Sequence, residues 1–321
     1  MKSNNFHIAL FSTTLLSFAG IGHTTDAVAP QNQTISADTG AKVLDQSWHV
    51  AGDARVEIDN VRGSVAVTGW DQSQVKLSGS LGAGSRLDIS ADEHHLVLRV
   101  EGTGRGWFGN NGPDHDSDLV VNVPRAALLK LGVVSADASV SGVTGKSLDV
   151  DGVSGKLSVA SDAPEIDINS VSGEIVFAAS QPNAAAHTHL QTVSGDIDAT
   201  RLGGRIKLET VSGDIVLDAG QVQELETGTV SGDARIQLVP APHAHLSLES
   251  MSGDIGLRLP AALSAHVEAQ TFSGNIQSDY GKVQHKERGP GSSLDARIGD
   301  GDAQISAQSF SGGIHLRKQG D

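Results

Sequence analysis

The chain is predicted to be all-β, a parallel β-solenoid built as a single stack of short two-strand coils with a β cap module at its start. Three observations predict it. A pentad close to Val-Ser-Gly-Asp-Ile recurs through residues 134–314, the residues on either side of it alternate apolar and polar, and the composition is rich in Gly and poor in rings. There are 38 Gly in 321 residues, well above the usual share of about 7%, and aromatics make up only 3%. A core of large side chains is therefore out of reach, and a repetitive architecture of small residues takes its place.

Taken in chain order, residues 1–29 read as a secretory signal peptide. Lys2 precedes an apolar stretch from Ile8 to Ile21 that is shorter than the roughly 20 residues of a spanning helix. Ala27-Val28-Ala29 offers a small-x-small cleavage site, although Pro30 follows it directly and a cut nearer Ala19 is the alternative. Residues 30–44 form a linker. Residues 45–125 hold looser strands, in ARVEIDNVRGSVAVTGW, QVKLSGSL, HLVLRVEG and DLVVNVP, and make the N-terminal module that caps the first coil. Val61 to Val65 is a degenerate copy of the pentad.

Residues 126–321 carry the repeats. The pentads start at Val134, Val153, Val171, Val193, Val211, Val230, Met251, Phe272 and Phe310. Their spacing is 18 to 22 residues, and the last gap of 38 reads as two periods of 19. Upstream of each pentad the third and fifth residues are apolar, as in Leu208 with Ile206 and Leu248 with Leu246, and the residues between them are polar. Downstream, Ile215 with Leu217 and Ile255 with Leu257 continue the alternation. Each unit is thus two period-two strands joined at Ser-Gly. One such hairpin is unstable alone, but stacked units cover one another's apolar stripe and bring equivalent residues about 4.8 Å apart. The pentad Gly is expected to supply a backbone conformation other residues resist, the pentad Ser to bond corner backbone groups, and the Pro182, Pro242 and Pro260 loops to bulge outward.

ARVEIDNVRGSVAVTGW, DLVVNVPRAALLKLGVVSADASV and the serial VSGDI copies together resemble a bacterial family of repeated β-strand proteins labelled as adhesins, a domain of unknown function. The resemblance covers residues 45–316 and implies a cell-envelope protein. It transfers no catalytic residue. Some relatives are linked to envelope stress, which implies an alternative role as a periplasmic accessory that binds a protein partner.

Several chemistries are excluded outright. A formal net charge of -15 excludes a general nucleic-acid binder, and the absence of Cys excludes disulfides, thiolate metal sites, thiol nucleophiles and a lipidated N-terminal Cys. No G-x-S-x-G motif occurs, and a Ser repeated in every coil is structural by its repetition. A carbohydrate-active β-helix enzyme is the least favoured reading; the expectation is no enzyme and no cofactor. The C-terminus HLRKQGD has neither an apolar anchor nor a terminal aromatic, which argues against a membrane-inserted barrel.

Two features stand out as candidate sites. The fourth pentad position forms a carboxylate column through Glu174, Asp196, Asp214, Asp233 and Asp254. Its four Asp either bind calcium, which relieves like-charge repulsion, or accept hydrogen bonds from their own turns. The segment Gly102 to Asp118 presents Trp107 and Phe108 between glycines, either as a contact loop for a protein or glycan at the envelope or as a plug for the solenoid end. His187, His189, His243, His245 and His266 are read as a solvated strand face, with zinc or copper as the sharper alternative; His245 and His266 are expected to stack as neighbours. Arg201, Arg205 and Lys207 are expected in surface ion pairs, and Trp48 and Trp70 in packing of the N-terminal module. The combined reading is a non-enzymatic, exported envelope protein, periplasmic or at the cell surface.

Overall fold

The computed structural model describes residues 31–102, 115–183, 186–285 and 290–320. The signal peptide and the Trp107 and Phe108 loop lie outside these residues. Every regular element among the described residues is a β-strand. Inward residues at alternate positions, such as Ile206, Leu208, Ile215 and Leu217, are fully or almost fully buried, so the period-two pattern of the sequence is the in-out pattern of the strands. Phe177 is the largest fully buried side chain; Leu, Ile, Val and Ala make up almost all of the rest of the core.

Each coil has two strands and contributes one to each of two ladders. The first ladder runs in space from Gln31–Ala37 through Ser85–Ala91, His95–Gly102 and the first half of Arg55–Trp70 to the first half of Leu128–Val143. It continues through Ser147–Ser154, Glu165–Ser170, His187–Thr192 and the second halves of Ile197–Ser212, Ile215–Ser231 and Ala234–Ser250. The second ladder begins with Lys42–His49, Gln74–Leu81, Ser117–Pro124 and the second half of Arg55–Trp70. It then follows the second half of Leu128–Val143, Leu157–Ser161, Ile175–Ala178 and the first halves of the same three long strands. All pairings in the body of the stack are parallel. The Arg55–Trp70 strand pairs with Leu128–Val143 in both ladders, so the parallel stack runs without a break across residue 125.

The ends depart from the single stack in chain order that the sequence suggests. After Ile255–Leu259 the chain skips a place, lays down Ala265–Thr271 and Ile276–Ser278, and turns back through antiparallel Ser292–Ile298. Its last strands, Ala303–Ser309 and Ile314–Lys318, then fill the skipped place in parallel register on both sides. The gap of 38 residues is therefore a reversal and an insertion, not two periods. Histidine placement changes with it: His245 and His266 are separated by Gln304, which pairs with both. The other end uses the same device, since Arg55–Trp70 sits between Leu128–Val143 and the later strands His95–Gly102 and Ser117–Pro124. Antiparallel strands cover both ends of the first ladder and the N-terminal end of the second, consistent with the need to blunt open parallel edges. Most of the segment read as a linker, residues 31–37 and 42–44, is strand that closes the stack.

The two corners of a coil differ. At the pentad corner the backbone is so close to the next coil that a Cβ on Gly213 would lie 1.9 Å from the carbonyl oxygen of Gly195, and one on Gly232 1.9 Å from that of Gly213. Gly is required there by close approach of stacked backbones, and its φ at these two positions is not in the left-handed region. The opposite corner varies in length and absorbs the Pro residues: Val222 and Glu224 pair with Pro240 and His245, so residues 241–244 bulge out.

Candidate functional site: an apolar ridge and its groove

The first residue of every pentad points outward. Val134, Val153, Val171, Val193, Val211 and Val230 are between 43% and 46% exposed, and Met251, Phe310 and Phe272 between 53% and 58%. Strand order places them in one column, in the sequence just given, because the amide after each pentad residue donates to the carbonyl of the equivalent residue one coil back, as Ser212 does to Val193 and Ser252 to Val230. The insertion of the last strands puts Phe310 between Met251 and Phe272. The rings of Phe272 and Phe310 stack with centroids 4.9 Å apart and planes within 5°. Eight steps of about 4.8 Å make this an apolar ridge about 38 Å long. Val at a repeated position reads as core, but the period-two alternation, continued from Leu208 through Thr210, points Val211 outward, and that was the available signal.

A groove of about 870 Å³ runs beside the C-terminal half of the ridge. Met251, Phe310 and Phe272 raise one wall. The other is the outward residue two places before each pentad: Glu209, Gly228, Glu249, Gln308 and Gln270. The floor is the residue just before the pentad, Thr210, Thr229, Ser250, Ser309 and Thr271, all buried. Several of these hydroxyls take the corner role that the sequence assigned to the pentad Ser, which Ser154 does fill, its Oγ donating to Val134 O at 3.0 Å. Ser250 Oγ donates to Gly253 O at 3.0 Å and Thr271 Oγ1 to Gly312 O at 3.1 Å. Thr229 Oγ1 and Ser309 Oγ are buried without a partner. Pentad Ser194 and Ser212 are exposed.

The carboxylate column lies on the far side of the ridge and is tied into the stack. Asp196 Oδ1 accepts the amide of Asp214 at 2.8 Å, Asp214 that of Asp233 at 2.9 Å, Asp233 that of Asp254 at 3.0 Å, and Asp254 that of Gly313 at 2.7 Å. Each carboxylate thus bonds the next coil, not its own turn. Arg235 bridges Asp214 and Asp233 at 3.0 and 2.7 Å. The Asp233 amide, and then the Arg235 guanidinium, hold the Asp214 carboxyl below the usual carboxylate range. No group of three or more His, Asp or Glu converges as a ligand set among the described residues.

The remaining candidates are spread over the first ladder's outer face. His187 accepts from Arg205 at 2.7 Å. His189 lies between Asp167 and Glu209 at 3.4 and 3.6 Å, beside a shallow depression of about 270 Å³. His266 faces Asp295 at 2.9 Å. Arg205 and Lys207 pair with Glu224 and Glu209 at 3.5 and 3.3 Å. In the N-terminal part Trp48 is buried, and Trp70 donates to Gln74 O at 2.8 Å. Gly102 and Ser117, which flank the Trp107 and Phe108 segment, lie at the N-terminal end of the ridge corner, since Ser117 pairs with Gly63 and Gly63 with Ala136.

Among the solved structures that match the chain, two cover most of its length. One is a crystal structure of a "putative cell adhesion protein" from Clostridium sporogenes, 10% identical, covering 87% of this chain and 100% of that one, with a TM-score of 0.23. The other is a "putative lipid binding protein" from Parabacteroides distasonis, 11% identical, covering 88% and 98%, with a TM-score of 0.28. No curated protein sequence matches. A family model spans residues 53–317, the parallel stack and both of its inserted strand sets, and this chain belongs to that family, Toastrack DUF4097, a domain of unknown function.

Proposed function

We propose that the protein is a non-enzymatic interaction module of the bacterial envelope, exported by its N-terminal segment, in which a rigid β-stack displays the apolar ridge to a binding partner. The observation that carries this reading is the ridge. Scattered exposed apolar residues are ordinary, but an unbroken column of nine is a contiguous patch of the kind found at binding surfaces. Its flanks are polar and it widens from Val to Met and Phe toward one end, where a groove forms. The other exposed large apolar residues, Val43, Val120, Val216 and Val239, stand apart from the column, on strands that also carry ion pairs and backbone-bonded carboxylates. The described residues include no helix long and apolar enough to cross a membrane.

The test is retention of bacterial envelopes on beads coated with the mature protein. Wild type is expected to hold them, and the double variant Met251→Ser with Phe310→Ser to lose most of that hold while melting at the same temperature. Equal retention by the two would overturn the reading.

A further inference from the structure

The wall of the groove facing the ridge has a gap. At the position two before the pentad, neighbouring coils carry Gln191, Glu209, Glu249, Gln308 and Gln270, but Gly228 stands between Glu209 and Glu249 in strand register. No packing demands it. A Cβ on Gly228 would meet nothing within 4 Å, unlike the pentad glycines, and its φ is not in the left-handed region. Gly weakens a strand interior and there marks a bulge, a tight bend or a close approach by another molecule or backbone. The register runs through Gly228 without a shift and no neighbouring backbone crowds it, which leaves the approach of another molecule. Beneath the gap lies Thr229, buried, with its hydroxyl unpartnered. Val230 and Met251 form the apolar side opposite. Lys207 reaches Glu209 at 3.3 Å from the neighbouring column, whereas Glu249 makes no ion pair among the described residues. No Lys or Arg lines the groove.

We infer that this groove docks an extended cationic amphipathic polypeptide, with one Lys or Arg side chain entering the Gly228 gap. The inference rests on the ridge being an interaction surface and names its occupant. The aliphatic stem of the basic residue lies against Val230 and Met251, and its charged head sits between the carboxylates of Glu209 and Glu249, the arrangement long basic side chains adopt at apolar surfaces beside acids. Apolar residues of the same peptide continue along Phe310 and Phe272. Polyanions are disfavoured by two Glu and an overall charge of -15. A second copy of this chain would set like charge against like.

Fluorescence polarisation with a short fluorescein-labelled peptide alternating lysine and valine tests this. A glutamate-valine peptide and a lysine-serine peptide are the controls, and a neutral labelled cello-oligosaccharide is a further arm. Saturable binding of the lysine-valine peptide alone is expected, weakened about tenfold by Gly228→Gln, which fills the gap without a clash, and by Glu249→Gln, and unchanged by Asp198→Asn on the other ladder. Equal binding by Gly228→Gln, equal binding of the lysine-serine peptide, or no binding of the lysine-valine peptide overturns the inference. If the oligosaccharide or the glutamate-valine peptide binds instead, and Met251→Ser removes it, the ridge remains an interaction surface and only the cationic occupant falls. If no probe binds and envelopes are held equally by the ridge variants, both readings fall.

Discussion

The first and fourth positions of the pentad stand three residues apart, run side by side along one stack, and both face solvent. Only the fourth has its side chain hydrogen-bonded into the fold. Asp196, Asp214, Asp233 and Asp254 each spend an oxygen on an amide of the next coil, while the Val, Met and Phe column above them leaves its side chains facing outward. Repetition in a sequence therefore does not separate structural residues from displayed ones. What separates them is where the side chain's interactions go: a repeated carboxylate whose partner is the neighbouring backbone serves the stack, and a repeated apolar side chain left about half exposed keeps much of its surface for something outside it.

The contrast is sharpest at the pentad's third position. Gly213→Ala drives a Cβ to 1.9 Å from the Gly195 carbonyl oxygen, and neither backbone can retreat without opening the ladder. A loss of about 1 to 3 kcal/mol or more is expected, read as a lower midpoint in urea. Gly228→Ala, in the groove wall, has open space and is expected to be neutral or to stabilise by about 0.4 to 1 kcal/mol, because the unfolded chain loses freedom and no native contact is strained. If both substitutions cost the same, the two glycines do not differ in the way the stacking implies.

Next in size is the fourth position. Asp214→Ala removes the acceptor for the Asp233 amide and one partner of Arg235, and a loss of about 0.5 to 1.5 kcal/mol is expected, the worth of one hydrogen bond. The pH dependence follows from the direction of its shift. The Asp214 carboxyl is held below 3.8, so it contributes stability that is present above 3.8 and is lost as pH falls through its lower folded-state value. Wild type is thus expected to lose stability over that acid window more steeply than Asp214→Ala. Millimolar calcium is expected to leave the melt of both unmoved, since the carboxylates already hold amides; a rise of several degrees in wild type alone would make the column a cation site as well.

Much of this architecture was legible in the residues. Period-two alternation around Ile206, Leu208, Ile215 and Leu217 gave the strands, and the recurrence of the pentad every 18 to 22 residues gave their stacking. The places where reading failed share a physical cause. Chain order equals spatial order only while each unit stacks on the one before. The gap of 38 residues marks a break in the period but not where the strands after it go, so the insertion of residues 303–318 beside Ala234–Ser250 and the separation of His245 from His266 were invisible. The direction of Val211 was legible in the alternation that runs from Leu208 through Thr210, but its β-branched side chain, which suits buried positions as well, drew attention away from it. Gly228 looked like any other strand Gly until the space around it was seen to be empty, since a glycine required by close approach and one that leaves a gap are the same letter.

The smallest effect on stability is expected at the first position, and it is the one that bears most on function. Val211 is 45% exposed, its backbone carbonyl and amide stay in the ladder whatever the side chain, and its methyl groups face water above the groove. Val211→Ser is therefore expected to change stability by less than about 0.5 kcal/mol, as surface substitutions do. A stack that selected this column for folding alone would show a larger loss, comparable with that of Asp214→Ala. If urea melts place Val211→Ser and Asp214→Ala together, the ridge belongs to the corner's packing, and the asymmetry between the two positions disappears. If Val211→Ser melts with wild type, the stack is indifferent to the apolar character of that position. An apolar side chain kept at the first position of nine successive pentads then has to be explained by what it meets outside the molecule.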